Sequence, residues 1–131
     1  MKCGVLFVSA HHDDARLLSR MLRAVPLRLD HVDSIERARA KLQREDYDVI
    51  LTEAALPDGT WVDALLLARK CARGLEVIVT GPHADARFWA EALNLGAYDL
   101  LAQPFYEPEV RRILSNACSR PAMDAYRMAA V

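Results

Sequence analysis

Two stretches of this 131-residue chain carry side chains with the means to do chemistry. The first runs from Tyr47 to Gly59 and reads Tyr-Asp-Val-Ile-Leu-Thr-Glu-Ala-Ala-Leu-Pro-Asp-Gly. Its segment Val49 to Thr52 is too short for a helix and rich in β-branched residues, the signature of a buried strand. Glu53 then stands at the carboxyl end of a strand, which in an open α/β sheet is where ligands and reacting groups collect. The second stretch, His11-His12-Asp13-Asp14, follows the apolar run Val5-Leu6-Phe7-Val8. Imidazole and carboxylate together are the donors of a transition-metal site. With too few ligands in reach, the same residues form a polar loop in which Asp13 or Asp14 caps the next helix.

The elements that must position these groups alternate regularly. Val5–Val8 predicts a first buried strand, and Leu17, Leu18, Met21, Leu22 and Val25 recur at helical spacing until Pro26. Leu27 to Val32 alternates as a second strand. Asp33 with Glu36 predicts a capping box opening a helix through Ile35, Ala38 and Leu42. After the strand that ends at Glu53, Pro57-Asp58-Gly59 predicts a turn, with Gly supplying a positive φ. A third helix is expected over about Trp61 to Ala72, closed by Arg73-Gly74, and a short strand over Val77 to Thr80. A fourth helix is expected over about Asp85 to Leu95, then a strand over Tyr98 to Ala102. A last helix begins at Glu107-Pro108-Glu109, with proline near its first position and acids in its first turn. Five strand–helix units imply a doubly wound (βα)₅ domain, a central five-stranded parallel sheet with helices on both faces. Residues 1–119 form that domain. Residues 120–131 are a C-terminal tail in which Met123, Tyr126 and Met128 favour a short helix and Pro121 favours fraying.

The totals fit one globular domain, with 53% apolar and 27% charged residues. A net charge of −1 gives no case for nucleic acid or an anionic membrane as partner. Cys3, Cys71 and Cys118 are an odd set without C-x-x-C spacing, which suits three isolated thiols in a reducing cytoplasm. Apolar runs are far short of a membrane span, and the start enters a strand without a signal-peptide core.

Tyr47-Asp48-Val49-Ile50, Leu56-Pro57-Asp58-Gly59, Leu95-Gly96-Ala97-Tyr98-Asp99 and Pro104-Phe105, in this order and at these separations, resemble a CheY-like receiver domain. That is the phosphoacceptor module of two-component response regulators, with flavodoxin-like topology. The resemblance covers about Lys2 to Ser119. It implies a pocket of five side chains, two acids after the first strand for Mg²⁺, a phosphoacceptor Asp, a hydroxyl and a Lys. Those positions fall on Ser9, Ala10, Glu53, Thr80 and Gln103, and only Thr80 matches. Mg²⁺ wants carboxylates in octahedral geometry, and here Ser9 offers a hydroxyl and Ala10 nothing. Gln103 brings no charge to neutralise a transferred phosphoryl group. Glu reaches one C–C bond, about 1.5 Å, further than Asp, a costly misplacement for an in-line transfer. Glu53 has two readings, a carboxylate held by hydrogen bonds or a fixed mimic of the phosphorylated state. The aromatic that switches with the Thr in many receivers falls on Leu100, which cannot make that swing.

His11 to Asp14 is also similar to the Ala-His-Pro-Asp-Asp motif of LmbE-like zinc deacetylases, which implies a zinc-dependent hydrolase. His12 replaces the Pro, and neither His31 nor His83 has the neighbours of the third ligand. Adventitious Zn²⁺ or Ni²⁺ on His11 and His12 is the lesser alternative. Trp61 either packs on the loop or lids the pocket. In the fourth helix Ala86, Ala90 and Leu93, flanked by Trp89, make one apolar stripe and Phe88, Ala92 and Leu95 a second. One stripe satisfies the core and the other asks for a cover.

The expectation is therefore a degenerate receiver, or pseudo-receiver, with no catalytic residues, metal or cofactor. It would signal by phosphorylation-independent protein–protein contact. The receiver resemblance places that contact, with a protein partner or a second copy, on the fourth helix, fifth strand and fifth helix, through Phe88, Trp89, Tyr98, Phe105 and Tyr106. A phosphoacceptor with a non-standard pocket is the principal alternative.

Overall fold

The computed structural model describes residues 2–71, 74–82 and 85–130, with side chains described as far as residue 119. Arg73 and His83, and the side chains of Pro121, Met123, Tyr126 and Met128, lie outside the described residues. The order of elements is β1 (Cys3–Val8), α1 (His12–Met21), β2 (Leu27–Val32), α2 (Ile35–Arg44), β3 (Val49–Glu53), β4 (Ala55–Leu56), β5 (Gly59–Thr60), α3 (Trp61–Cys71), β6 (Glu76–Gly81), α4 (Ala86–Asn94), β7 (Asp99–Ala102) and α5 (Glu107–Ala130). Five strands form one parallel sheet in the order β2-β1-β3-β6-β7. β4 and β5 pair antiparallel as a separate two-residue hairpin around Pro57 and Asp58. The turn is foreseen by the sequence, whereas strands this short carry no periodic signal.

Side chains alternate across a strand, so consecutive residues feed opposite layers. Leu6, Val8, Ile50, Val77, Val79 and Leu100 pack with residues of α2, α3 and α4. Val5, Phe7, Val49, Leu51, Ile78 and Leu101 pack with Ala15 and Leu18 of α1 and with Val110, Ile113, Leu114 and Ala117 of α5. Both faces of the sheet are covered, which is why these strands read as unbroken apolar runs.

Several expectations give way to the structure. Cys3 and Cys118 are joined as a disulfide with a Cα–Cα separation of 5.7 Å, and only Cys71 is a free, exposed thiol. The two are 115 residues apart, and parallel crossovers bring the start of β1 against α5 without any spacing cue in the sequence. α1 is capped by His11 with no side-chain cap bond, and Asp13 and Asp14 lie in its first turn. The cap of α2 is Ser34, whose hydroxyl accepts from the Arg37 N–H, while Asp33 pairs with the Arg37 side chain at 3.2 Å. Gly59 keeps a negative φ, since only Gly74 and Gly96 are positive. Its role is space, because a β-carbon there would lie 2.5 Å from the Asp63 carboxylate, which accepts from the Thr60 N–H. α5 runs on past residue 119 as one helix to Ala130.

Candidate functional site

β1, β3, β6 and β7 all end at one edge of the sheet, and each delivers a polar group there. Parallel pairing sets Val8 beside Thr52 and Glu53 beside Thr80, so the register fixes which side chains meet. Ser9, Glu53 and Thr80 are buried, Glu53 at 4% exposure. Buried polar atoms must find partners, and these do. The Ser9 hydroxyl donates to Glu53 Oε1 at 3.0 Å and accepts from the His11 N–H at 3.0 Å. Gln103 Nε2 donates to Glu53 Oε2 at 3.3 Å and to Thr80 Oγ1 at 3.2 Å. The Thr80 hydroxyl donates to the Leu101 carbonyl at 2.7 Å, so its proton faces β7 and not Glu53. Behind them His31 Nε2 lies 2.7 Å from the Ser9 carbonyl. A carbonyl only accepts, so His31 carries its proton on Nε2.

Of the five mapped positions the structure joins Ser9, Glu53, Thr80 and Gln103 in one hydrogen-bonded cluster. Ala10 is exposed and offers no side-chain ligand. Leu100 is buried in the layer of α3 and α4. His11 enters the site by another route, its Nδ1 lying 3.5 Å from Glu53 Oε1 and 4.0 Å from Asp14 Oδ2. The three ligand atoms of His11, Asp14 and Glu53 all lie within 4.8 Å of one another. His12 does not join His11. Its ring meets His31 edge-on at 5.1 Å, because successive residues of a helix point about 100° apart. Sequence reading missed the role of His31, which alternates within an unremarkable strand, and the convergence of His11 and Asp14 on Glu53.

Beside the cluster lies a cavity of about 280 Å³ lined by His11, Glu53, Ala54, Ala55, Gly81 and Phe88, among others. Trp61 is a buried core residue that meets the Phe88 ring edge-on at 5.8 Å. Phe88 thus packs inward with Ala92, and Tyr98 and Phe105 pack partly buried against the layer of α1 and α5. The large apolar side chains left exposed nearby in sequence are Trp89, Leu93, Leu95 and Tyr106.

Asp58, a turn residue in the sequence, has a structural task. Its two carboxylate oxygens accept from the Ile35 and Glu36 N–H groups at 2.9 and 3.0 Å, and these hydrogen bonds, the one from Ile35 foremost, lower its pKa from the ordinary aspartate value of 3.8.

Comparison with known proteins agrees with this architecture. The Swarming motility regulation protein RssB of Serratia marcescens is 31% identical over 101 residues, covering 75% of this chain and 46% of that protein. This chain spans less than half the length of the curated relatives it matches. The signal receiver domain of a putative LuxO repressor protein from Vibrio parahaemolyticus superposes with a TM-score of 0.88 at 20% identity, over 96% of this chain and 97% of that one. The beryllofluoride-activated NtrC4 receiver domain, solved as a dimer, gives 0.81 at 23% identity, over 88% and 96%. At those identities the two structures speak for the fold. Residues 5–115 match the model of the response regulator receiver domain, and the chain belongs to that family, the receivers of two-component signalling.

Proposed function

We propose that this receiver domain signals by protein–protein contact without taking up a phosphoryl group, and that it catalyses no reaction. The observation that carries the reading is the hydrogen-bonding of Glu53. Both of its oxygens are engaged by neutral donors, Ser9 and Gln103, and among the described residues no Lys or Arg lies within ion-pair distance of it. Phosphoryl transfer is catalysed by positioning and charge stabilisation, and neither is on offer. A receiver Mg²⁺ site would draw on positions 9 and 10, where the only side-chain oxygen already donates to Glu53.

The contact surface centres on α4 and the segment after β7. Trp89 is 39% and Tyr106 65% exposed, with Leu93 and Leu95 also open to solvent. Exposed aromatics are the residue types that anchor interfaces. Phe88 packs beneath α4 against Trp61, while Tyr98 and Phe105 lie partly buried against the layer of α1 and α5. The partner is a protein, or a second copy of the chain. The module acts in the cytoplasm, where the Cys3–Cys118 link would form only on oxidation. Among the described residues no helix is long and apolar enough to cross a membrane.

The test joins two measurements on one preparation. Incubation with acetyl phosphate and Mg²⁺ should leave the intact mass unchanged. Sedimentation should give the same oligomeric state before and after, and Trp89→Glu should weaken any self-association or binding of an identified partner. A phosphoryl mass increment that Glu53→Gln abolishes would overturn the reading.

A further inference from the structure

We propose that His11, Asp14 and Glu53 bind one borderline first-row divalent cation, Zn²⁺ or a close neighbour of it, in preference to Mg²⁺. The receiver resemblance puts metal ligands on positions 9 and 10, and this trio is a different set that shares only the carboxylate at the end of β3.

Geometry is the first support. Zn²⁺ holds nitrogen and oxygen donors at about 2.0–2.1 Å, so tetrahedral neighbours stand about 3.3–3.4 Å apart. The His11 Nδ1–Glu53 Oε1 edge is already 3.5 Å and the His11 Nδ1–Asp14 Oδ2 edge 4.0 Å. Glu53 is the fixed member, while His11 and Asp14, at 67% and 33% side-chain exposure, are free to turn inward. Octahedral Mg²⁺ would need neighbouring donors about 3 Å apart and prefers oxygen and retained water. A nitrogen donor moves preference toward the later first-row metals.

Charge is the second. Among the described residues, Glu53 is a buried carboxylate without a basic side chain other than the His11 imidazole within ion-pair distance, and Asp14 turns a second carboxylate toward the same space. Buried charges are stable when paired or when they coordinate a metal. A dication compensates both carboxylates at once. The N-terminus of α1 opposes it with about half an elementary charge, less than the two carboxylates supply.

The third is the shell behind the ligands. Ser9 and Gln103 hold the two oxygens of Glu53, the Ser9 hydroxyl accepts from the His11 N–H, and His31 grips the Ser9 carbonyl. Such outer hydrogen bonds orient ligands and commonly account for about 10–100-fold in metal affinity. The adjoining 280 Å³ cavity leaves room for a fourth ligand.

The test uses untagged protein stripped with a chelator. Co²⁺, followed by its visible absorption, should bind at one equivalent and be displaced by Zn²⁺, and calorimetry should find Mg²⁺ at least about 100-fold weaker than Zn²⁺. His11→Ala and Asp14→Asn should each weaken Co²⁺ by about tenfold or more, while His12→Ala leaves it unchanged. His11 is exposed and Asp14 partly so, and neither belongs to the apolar core, so circular dichroism should be unaltered. No saturable Co²⁺ binding, Mg²⁺ binding as tight as Zn²⁺, or equal losses in His11→Ala and His12→Ala would each overturn the proposal. The outcome is separate from phosphoryl uptake, since a metal-binding protein that also gained phosphoryl mass would sink only the functional reading.

Discussion

The two apolar layers of the sheet and the polar margin at its carboxyl edge are built from the same strands under different rules. In the layers, residues such as Leu6 and Ile50 on one side and Phe7 and Leu51 on the other are fully buried by contacts that have no direction. At the margin, two residues beyond Phe7 and Leu51, Ser9 and Glu53 depend on donors placed within about 3 Å and correctly aimed. A layer accepts any apolar residue of suitable volume. A margin changes its chemistry when one atom changes. This chain therefore keeps a receiver scaffold around a pocket with a different donor set, and the two can be perturbed separately.

The largest separation should come from the layer. Phe7 is fully buried against α1 and α5, and Phe7→Ala should lower the unfolding free energy by about 3–5 kcal/mol. Urea denaturation checks it, and a loss below about 1 kcal/mol would mean that the layer collapses around the cavity. A smaller effect is expected from the covalent link between β1 and α5. Closing a 115-residue loop constrains the unfolded chain, and loss of such a link typically costs about 2–4 kcal/mol. Cys118→Ser and reduced wild type should therefore melt together, below oxidised wild type. If reduction shifts the wild type but not an already destabilised Cys118→Ser, the link is the cause; equal shifts in both would rule it out.

How much of this is legible in sequence follows the same division. The layers are legible because apolar runs punctuated by Pro57, Gly96 and Pro104 name the strands and helices directly, and a five-stranded parallel sheet follows from their alternation, while its topology is implied only by the receiver resemblance. The margin is legible by position only. Glu53, Thr80 and Gln103 can be placed at strand ends, but not the direction of the Thr80 proton or the inward turn of His11 toward Glu53. Those depend on register and rotamer. The Cys3–Cys118 link and the His31–Ser9 bond join residues whose proximity exists only once β1 lies between β2 and β3. Phe88 shows the limit for surfaces, since its helical stripe could face either way and the structure turns it to Trp61.

The smallest expected effect tests the margin where its carboxylate has a structural task. Asp58 and Ser34 together satisfy three N–H groups in the first turn of α2, those of Ile35, Glu36 and Arg37. Asp58→Ala removes two of these partners and should cost about 1 kcal/mol, the usual loss for a cap. Asp58→Asn keeps one acceptor oxygen and should lose about half as much. The pKa of Asp58 is depressed in the folded protein, so its stabilisation is complete above the ordinary value of 3.8 and fades as pH falls through the lower folded value. The gap between wild type and Asp58→Ala, read by urea melts, should thus be constant near neutrality and narrow only below about pH 4. A gap that narrowed already near pH 6 would point to a histidine and not to this carboxylate. With no narrowing at all, the cap would owe nothing to its charge.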